Sequence, residues 1–594
     1  MGTAQARSRE DERVLRDRAN RSPVAVGRVV LVLMIALLCM GCWDDAEVGS
    51  SGGTTETAAK RKRRRSDVLK TLIEMSQPQT LRIRTRPETV VSLLNDWVSM
   101  SGKGAEAGDE SDPVDEVYSG RLNEDLIARI RASRFSNRDV THIRDALWYA
   151  RISKLVAAPA QTDLERSTRL FYYIMRNIVL RSDEDTQLPM APFGIAMFGE
   201  GNARDRAWLF INLLAQLRID AVVLHAEEAP TRLLVGVLLD DKVYLYDPTL
   251  GLPLPSGPAT TTLAAISRPA TLSDVAADPS LLASLGVSKD SPYPFTAASL
   301  AAARVSLVGG TSFWAPRMRR LQLALASDND VLLWHPLEAS EIVPEGALAR
   351  VAKVEAEGFD EAAIAIWDYP EERLDGNSAF TTQQLQLFVL RSRAFESPIP
   401  IKQILASRET REIQLQVAEK GQFRHRMSRN RQLLGEWKTA VTTFLKIRMW
   451  RDVPPLPKEF GFIDRRDQAG FKALLPTRVR LVHEEAADDA AFWTAVCQYE
   501  QGHVESAADA LREYRKRGGP HEWESGALWL EGLWRGELEQ WDQAVAVLEM
   551  IAETDPHRAG AQVLLRRWKP LAAAQPKPDP PKATEPAAKP SETQ

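Results

Sequence analysis

Gly199-Glu-Gly-Asn-Ala-Arg-Asp-Arg-Ala-Trp-Leu-Phe-Ile-Asn-Leu-Leu-Ala-Gln216, followed by Ala221–Leu224, Leu233–Leu239 and Val243-Tyr-Leu-Tyr-Asp-Pro-Thr249, decides the fold of this chain. From Asp205 onward, Ala207, Trp208, Phe210, Ile211, Leu213, Leu214 and Leu217 recur at helical spacing with one broad apolar face. Asn202 is placed to cap that helix, with Asp205 three residues on as the reciprocal acid. The three following runs are rich in β-branched and aliphatic residues, and Asp240-Asp241 marks a turn between the last two. The expectation is an α+β unit, one helix packed on an antiparallel sheet. Asp247, before a proline at a strand end, is expected to cap a turn.

The same order resembles the catalytic core of the transglutaminase-like superfamily: a glycine-rich turn, a Cys opening a helix, a strand starting with His and a strand ending in Asp-Pro. The resemblance covers about 163–255 and implies a papain-like helix-on-sheet core. Ala203 stands at the position matching the Cys, Arg232 at that matching the His, and Asp247 keeps the Asp. The nucleophile in such chemistry is a thiolate and the base a neutral imidazole. Ala203 has no nucleophilic atom, and an arginine stays protonated. The implied catalytic set is therefore empty. The alternative is a peptidase, amidase or acyltransferase with a displaced nucleophile, supported by Asp205, Asp247 or His225. No phosphate-binding loop, His-Glu-x-x-His or pair of Cys-x-x-Cys motifs is present, and the eight histidines show no i, i+4 pair, so no metal and no cofactor is expected.

Residues 1–42 read as a targeting segment. An Arg-rich stretch ends at Arg28, and Val29–Gly41 is an unbroken apolar run, short for a membrane span of about 20 residues. Gly41-Cys42 resembles a bacterial lipobox, which makes Cys42 the lipidation site; an uncleaved signal anchor is the alternative. Either places the body outside the cytoplasm, on a membrane of the cell envelope. Residues 43–66 form a polar tether ending in the basic run Lys60–Arg65. That run is read as a solvated charge stretch, with anionic lipid or a polyanionic cell-wall component as the other option. The net charge of −4 gives no reason to expect nucleic-acid binding.

Further along, 67–160 reads as helical, 161–258 as the core, 259–346 as a mixed satellite with Val331–Trp334 as a candidate strand, and 347–480 as helical. Within the last, Leu348–Ile366 and Gln432–Ile447 have amphipathic spacing. Residues 481–570 hold a weak repeat: Ala507 aligns with Ala544 at an offset of 37, with turns at Glu500–His503 and Glu537–Gln540. This resembles tetratricopeptide repeats, and Gly358–Ala363 has the turn-and-alanine spacing of a further unit. Of the six tryptophans between Trp493 and Trp568, most are expected to pack between repeat helices, with the lining of a peptide groove as the alternative for some. Residues 571–594 are a Pro/Ala/Lys tail. The whole pattern resembles envelope proteins of planctomycetes. It points to a membrane-tethered binding or adaptor protein with a protein or peptide partner on the helical repeats.

Overall fold

The computed structural model describes residues 58–575, apart from 83–84, 101–116, 184–187, 257–267, 287–290, 326–329, 341–342, 355–358, 377–379, 396–400, 407–412, 418–423, 450–476 and 518–520. The expected targeting run and lipobox lie outside these residues, as does the expected C-terminal tail after Gln575; its first residues, 571–574, instead end the last helix. Of residues 1–62 only the start of the helix Ala58–Ser76 is described. No described helix is long and apolar enough to cross a membrane.

Three helices build one side of the mixed body: α1 (Asn137–Ala157), α2 (Asp163–Asn177) and α3 (Ala203–Gln216). The capping box of α3 forms as its sequence requires. Asn202 Oδ1 accepts from the Asp205 amide at 2.8 Å, and Asp205 Oδ2 accepts from the Asn202 amide at 3.2 Å. The helix ends in a Schellman turn with Arg218 at φ 61°.

The sheet has six strands: β1 (Ala221–His225), β2 (Leu234–Leu239), β3 (Lys242–Asp247), β4 (Leu252–Pro253), β5 (Arg304–Leu307) and β6 (Ala365–Ile366), in the order β4-β3-β2-β1-β5-β6. All pairs are antiparallel except β5-β6. Both faces are buried, which is why the strands read as unbroken apolar runs. Val223, Val235, Val237, Tyr244 and Tyr246 share a core with α3, whereas Val222, Leu224, Leu234, Val243 and Leu245 belong to a second core. β5 and β6 carry the sheet beyond residue 258, so the segment after the expected core completes it. Val331–Trp334 forms no strand: its amides are tied by side chains, Leu332 to Gln216 and both Leu333 and Trp334 to Gln322.

The C-terminal region is helical: α4 (Arg424–Leu433), α5 (Trp437–Arg448), α6 (Thr477–Glu500), α7 (Val504–Lys516), α8 (Glu524–Glu537), α9 (Trp541–Glu549) and α10 (Arg558–Ala574). Three turns in it are superimposable in their hydrogen bonds. Gly435, Gly502 and Glu539 all have positive φ. Each donates its amide to the carbonyl three residues back, and the next residue donates to the carbonyl five back. These are Schellman caps joining α4-α5, α6-α7 and α8-α9. Five residues past each turn stands a buried alanine, Ala440, Ala507 or Ala544, and nine past it a buried Phe444, Leu511 or Leu548. Seven before it stands Ser428, Ala495 or Gly532, small because the paired helix crosses there: a Cβ on Gly532 would lie 2.4 Å from Leu548 Cδ2. The six C-terminal tryptophans are all buried.

The additional helical pair is therefore 424–448, not the region of Gly358–Ala363. There Glu361–Ala363 is a single 3-10 turn and Ala365–Ile366 is a strand of the sheet. The expected helix over Leu348–Ile366 is reduced to Ala347–Ala352. Gly435 splits the expected helix over Gln432–Ile447 in two. Within 347–480 there is also an antiparallel hairpin, β7 (Ile401–Ala406) with β8 (Ile413–Val417), whose Ile-Gln-Leu-Gln-Val alternates with the period of a strand.

The second core of the sheet runs without a break into the repeats. The first helix of each pair faces the mixed body. Arg429 of α4 reaches Asn177 and Ala196, Glu500 of α6 pairs with Arg176 at 2.9 Å, and Trp529 of α8 lies against Gly251.

Candidate functional site

The N-terminus of α3 faces the corner at the end of β3. Arg206, one turn into α3, is fully buried and donates to Ile178 O (3.0 and 2.7 Å) and to Pro248 O (3.0 Å). Burial pushes its pKa down to about 9, against the pull of Asp247, so it stays cationic at neutral pH. Asp247 is also fully buried. Its Oδ1 accepts from the amides of Thr249 (2.7 Å) and Leu250 (2.9 Å), the turn cap its sequence implied. Its Oδ2 accepts from Tyr293 Oη at 2.8 Å and Arg232 Nη2 at 3.2 Å. Arg232 and Asp247 are thus joined as an ion pair, at the corner that Arg206 ties to α3. Ala203 opens the helix, half-buried and with only a methyl group to offer. Tyr293, far away in sequence, was not legible as a partner of Asp247.

The other acid and the histidine have separate surroundings. Asp205 is buried and accepts from Tyr369 Oη (2.8 Å) and from Arg373 Nε (3.1 Å) and Nη2 (2.6 Å), besides its cap bond. That leaves no lone pair directed at an incoming group. His225 ends β1 opposite Arg304, its ring 6.1 Å from that of Trp367. Burial, helped by Arg304, lowers its pKa to about 4, so it is neutral at pH 7, and Nε2 has no partner among the described residues. Asp205 and Asp247 are each held by arginine and tyrosine side chains, and neither is hydrogen-bonded to His225.

A Ser-His-Asp grouping that the sequence did not reveal lies where α10 meets the mixed body. Ser525 Oγ is 2.9 Å and Asp555 Oδ1 3.3 Å from His557 Nδ1. In a proton relay the serine and the acid occupy opposite ring nitrogens. Here they share one. The other, Nε2, accepts from the Leu180 amide at 3.4 Å and lies 3.4 Å from Arg206 Nη2. The grouping is a joint that holds a neutral imidazole. Burial lowers its pKa to about 4. A folded pKa below the unfolded one means the folded state binds fewer protons. The stabilisation from neutral His557 is complete above about pH 6.5 and is lost as pH falls towards 4. Urea titrations at pH 7.5 and 5.0 should show His557→Gln losing about 1–2 kcal/mol less stability on acidification than wild type. An unchanged difference would mean that His557 does not titrate as a buried neutral group.

Residues 489–517 match the tetratricopeptide repeat family. No curated protein and no solved structure matches the chain. The matched residues are the second half of α6 with α7, the middle of the three pairs that share the Schellman turn. Tetratricopeptide repeats generally mediate protein–protein interaction, through the inner surface of a stack of helix pairs. In this chain, first-helix residues such as Arg429, Trp493 and Trp529 are covered by its own mixed body. A Cβ on Gly199 would lie 2.2 Å from Trp493 Cζ2, and one on Gly560 2.2 Å from Leu250 O. No cluster of three or more His, Cys, Asp or Glu placed to hold a metal occurs among the described residues.

Proposed function

We propose that this chain is a membrane-tethered, exported, non-catalytic binding protein of the bacterial cell envelope, an adaptor built on a degenerate transglutaminase-like domain and tetratricopeptide-like repeats. The observation that carries the reading is the Arg232–Asp247 ion pair at the corner joined to α3, with Ala203 at that helix's start. It supports descent from a Cys-His-Asp site in which the base has become a fixed cation and the nucleophile a methyl group. Without these two groups, the remaining donors can hold a ligand but cannot take a proton from it or attack it. The buried junction argues that the repeats first serve to clamp the mixed body. A partner would then meet the outward helices α5, α7 and α9 or the rim of the junction.

The test is Ala203→Cys in the full chain. A thiol at the N-terminus of α3, one turn from Arg206, should be acidified below the ordinary value of about 8.5. The rate of iodoacetamide labelling of that peptide, followed by mass spectrometry against pH, should reach half its maximum below about pH 7.5. An ordinary thiol titration would remove the case for a family cleft, and turnover of peptide amides by the wild-type chain would sink the non-catalytic reading. For the tether, palmitate should label the wild type in cells and fail to label Cys42→Ser; a wild type that takes up no label would point to the uncleaved anchor.

A further inference from the structure

A cavity of about 190 Å³ opens where the mixed body, the helix Thr382–Phe395 and the repeats meet. Its apolar wall is made by Met190, Ile195, Phe198 and Leu387, and its polar wall by Arg181, Glu200, Arg373 and Glu522. The volume is below the 300–1,000 Å³ or so of cofactor and metabolite sites, and suits one long side chain.

The polar wall itself has two arginines and two carboxylates, and the ion pairs behind it add more acids than cations. Arg181 is shared by Glu200 (2.9 Å) and Glu522. Arg391, buried just behind, is shared by Glu200 (3.4 Å), Asp489 (3.3 Å) and Glu485. Arg373 is bound to Asp205. Three arginines therefore face five acids. His425, 3.7 Å from Asp489, adds no charge, since burial lowers its pKa to about 3. Burial raises the carboxyls of both Glu522 and Asp489 against the pull of Arg391, whereas Arg391 and Arg181 hold that of Glu200 below its ordinary value despite its burial. Glu522 stands at the mouth, with its side chain 39% exposed.

We propose that this cavity receives a lysine or arginine side chain of a partner peptide, its aliphatic stem against Phe198 and Leu387 and its charged end at Glu522. Long basic side chains carry such an apolar stem below a charged head. The proposal rests on the binding reading above and narrows it to one partner class. It also gives the junction a use: a residue seated there touches the mixed body and the repeats at once.

Fluorescein-labelled Leu-Xaa-Leu amides with Xaa Lys, Gln or Glu, titrated with the full chain at low salt, test it by anisotropy. The Lys peptide should bind at least about tenfold more tightly than the Glu peptide, with the gap narrowing in high salt. Leu387→Trp, which fills the cavity from a half-buried position, should abolish binding while leaving the thermal midpoint in place. Glu522→Gln should weaken the Lys peptide alone, by about fivefold. If all three peptides bind equally and Leu387→Trp blocks them, the binding reading stands and the basic preference falls. If Leu387→Trp changes nothing, peptides bind elsewhere and the cavity assignment falls. If the wild type holds none of the three, the cavity assignment also falls, and the wider adaptor reading is left to the Ala203→Cys result. Full competition by 4-phenylbutylamine at the affinity of the Lys peptide would assign the cavity to a free amine and overturn a peptide partner.

Discussion

Arg429→Met should destabilise the chain by about 3–5 kcal/mol, read as a lowered urea midpoint with unchanged slope. Arg429 is fully buried in α4. Its Nε and Nη2 donate to Ala196 O at 3.2 and 2.7 Å, and Nη2 also to Asn177 O at 2.9 Å. Nη1 reaches Asn177 Oδ1 at 3.3 Å and Gln432 Oε1. The guanidinium lies 3.3 Å from the ring centroid of Trp493, a stacked cation–π arrangement. Burial lowers its pKa to about 9, so the charge is kept at neutral pH and must be solvated by these acceptors. Methionine fills most of the volume but leaves two carbonyls and an amide oxygen buried without donors, and each such group costs about 1–3 kcal/mol. Arg429→Lys should recover less than half of the loss, because one ammonium cannot span acceptors on both Ala196 and Asn177. A loss below about 1 kcal/mol for Arg429→Met would mean that the junction is held by apolar packing alone.

The position of Arg429 also says what the repeats do. It joins the first helical pair to the two segments that flank α3 at its start, the end of α2 and the helix Pro192–Phe198. His557 does the same from the last helix, through the Leu180 amide. The repeats therefore grip the strand Val179–Leu180 and its partner Glu200–Gly201 from both ends, and with them the loop that presents Ala203. A clamp of this kind fixes the shape of the cavity at Glu522 without any chemistry at α3.

Much of this was legible in the sequence where local signals and global packing agree. Asn202 and Asp205 specify a helix start in four residues, and Asp247-Pro248 specifies a turn. The three strands β1 to β3 stand out because two buried faces leave no polar positions to blur them. The tetratricopeptide-like turns were legible around Gly502 and at Gln540, where alanine follows at a fixed distance. What was missed has physical reasons. The turn at Gly435 is followed by Ala440 and Phe444 as in the other pairs. Its first helix, however, is rich in arginine, because Arg429 is solvated by backbone carbonyls of another segment. A hydropathy pattern reads that as surface. Strand β6 is two residues long, and Ala365-Ile366 has no periodicity to detect. Gly358–Ala363 imitated a repeat turn because an acid followed by paired alanines also suits the 3-10 turn that Glu361–Ala363 forms. The partners of the site residues, Tyr293 on Asp247 and Tyr369 with Arg373 on Asp205, are set by long-range packing and have no local signature.

Asp139→Leu should be the second large loss, again about 3–5 kcal/mol, in a part of the chain remote from the repeats. Asp139 is fully buried at the third position of α1, and Arg317 is nearly so. The pair is bidentate: Arg317 Nε reaches Asp139 Oδ2 at 3.0 Å and Nη2 reaches Oδ1 at 2.8 Å. Asp139 also accepts from the Ser136 amide at 2.7 Å, closing the capping box of α1, and from Ser312 Oγ at 2.8 Å. Arg317 Nη1 is directed at Arg129 O, Ile130 O and Ala132 O, the free carbonyls at the end of the helix Glu124–Arg131. One ion pair thus caps the start of one helix and the end of another. Removing the acid leaves a buried guanidinium with its charge uncompensated, the costly half of a broken pair. The double variant Asp139→Leu with Arg317→Met removes both charges, and should be more stable than Asp139→Leu alone by about 1–3 kcal/mol. It should not return to wild type, since the carbonyls at the helix end lose their donor as well. Additive losses in the double variant would show that the two residues act separately, as a cap on each helix, rather than as one desolvated pair.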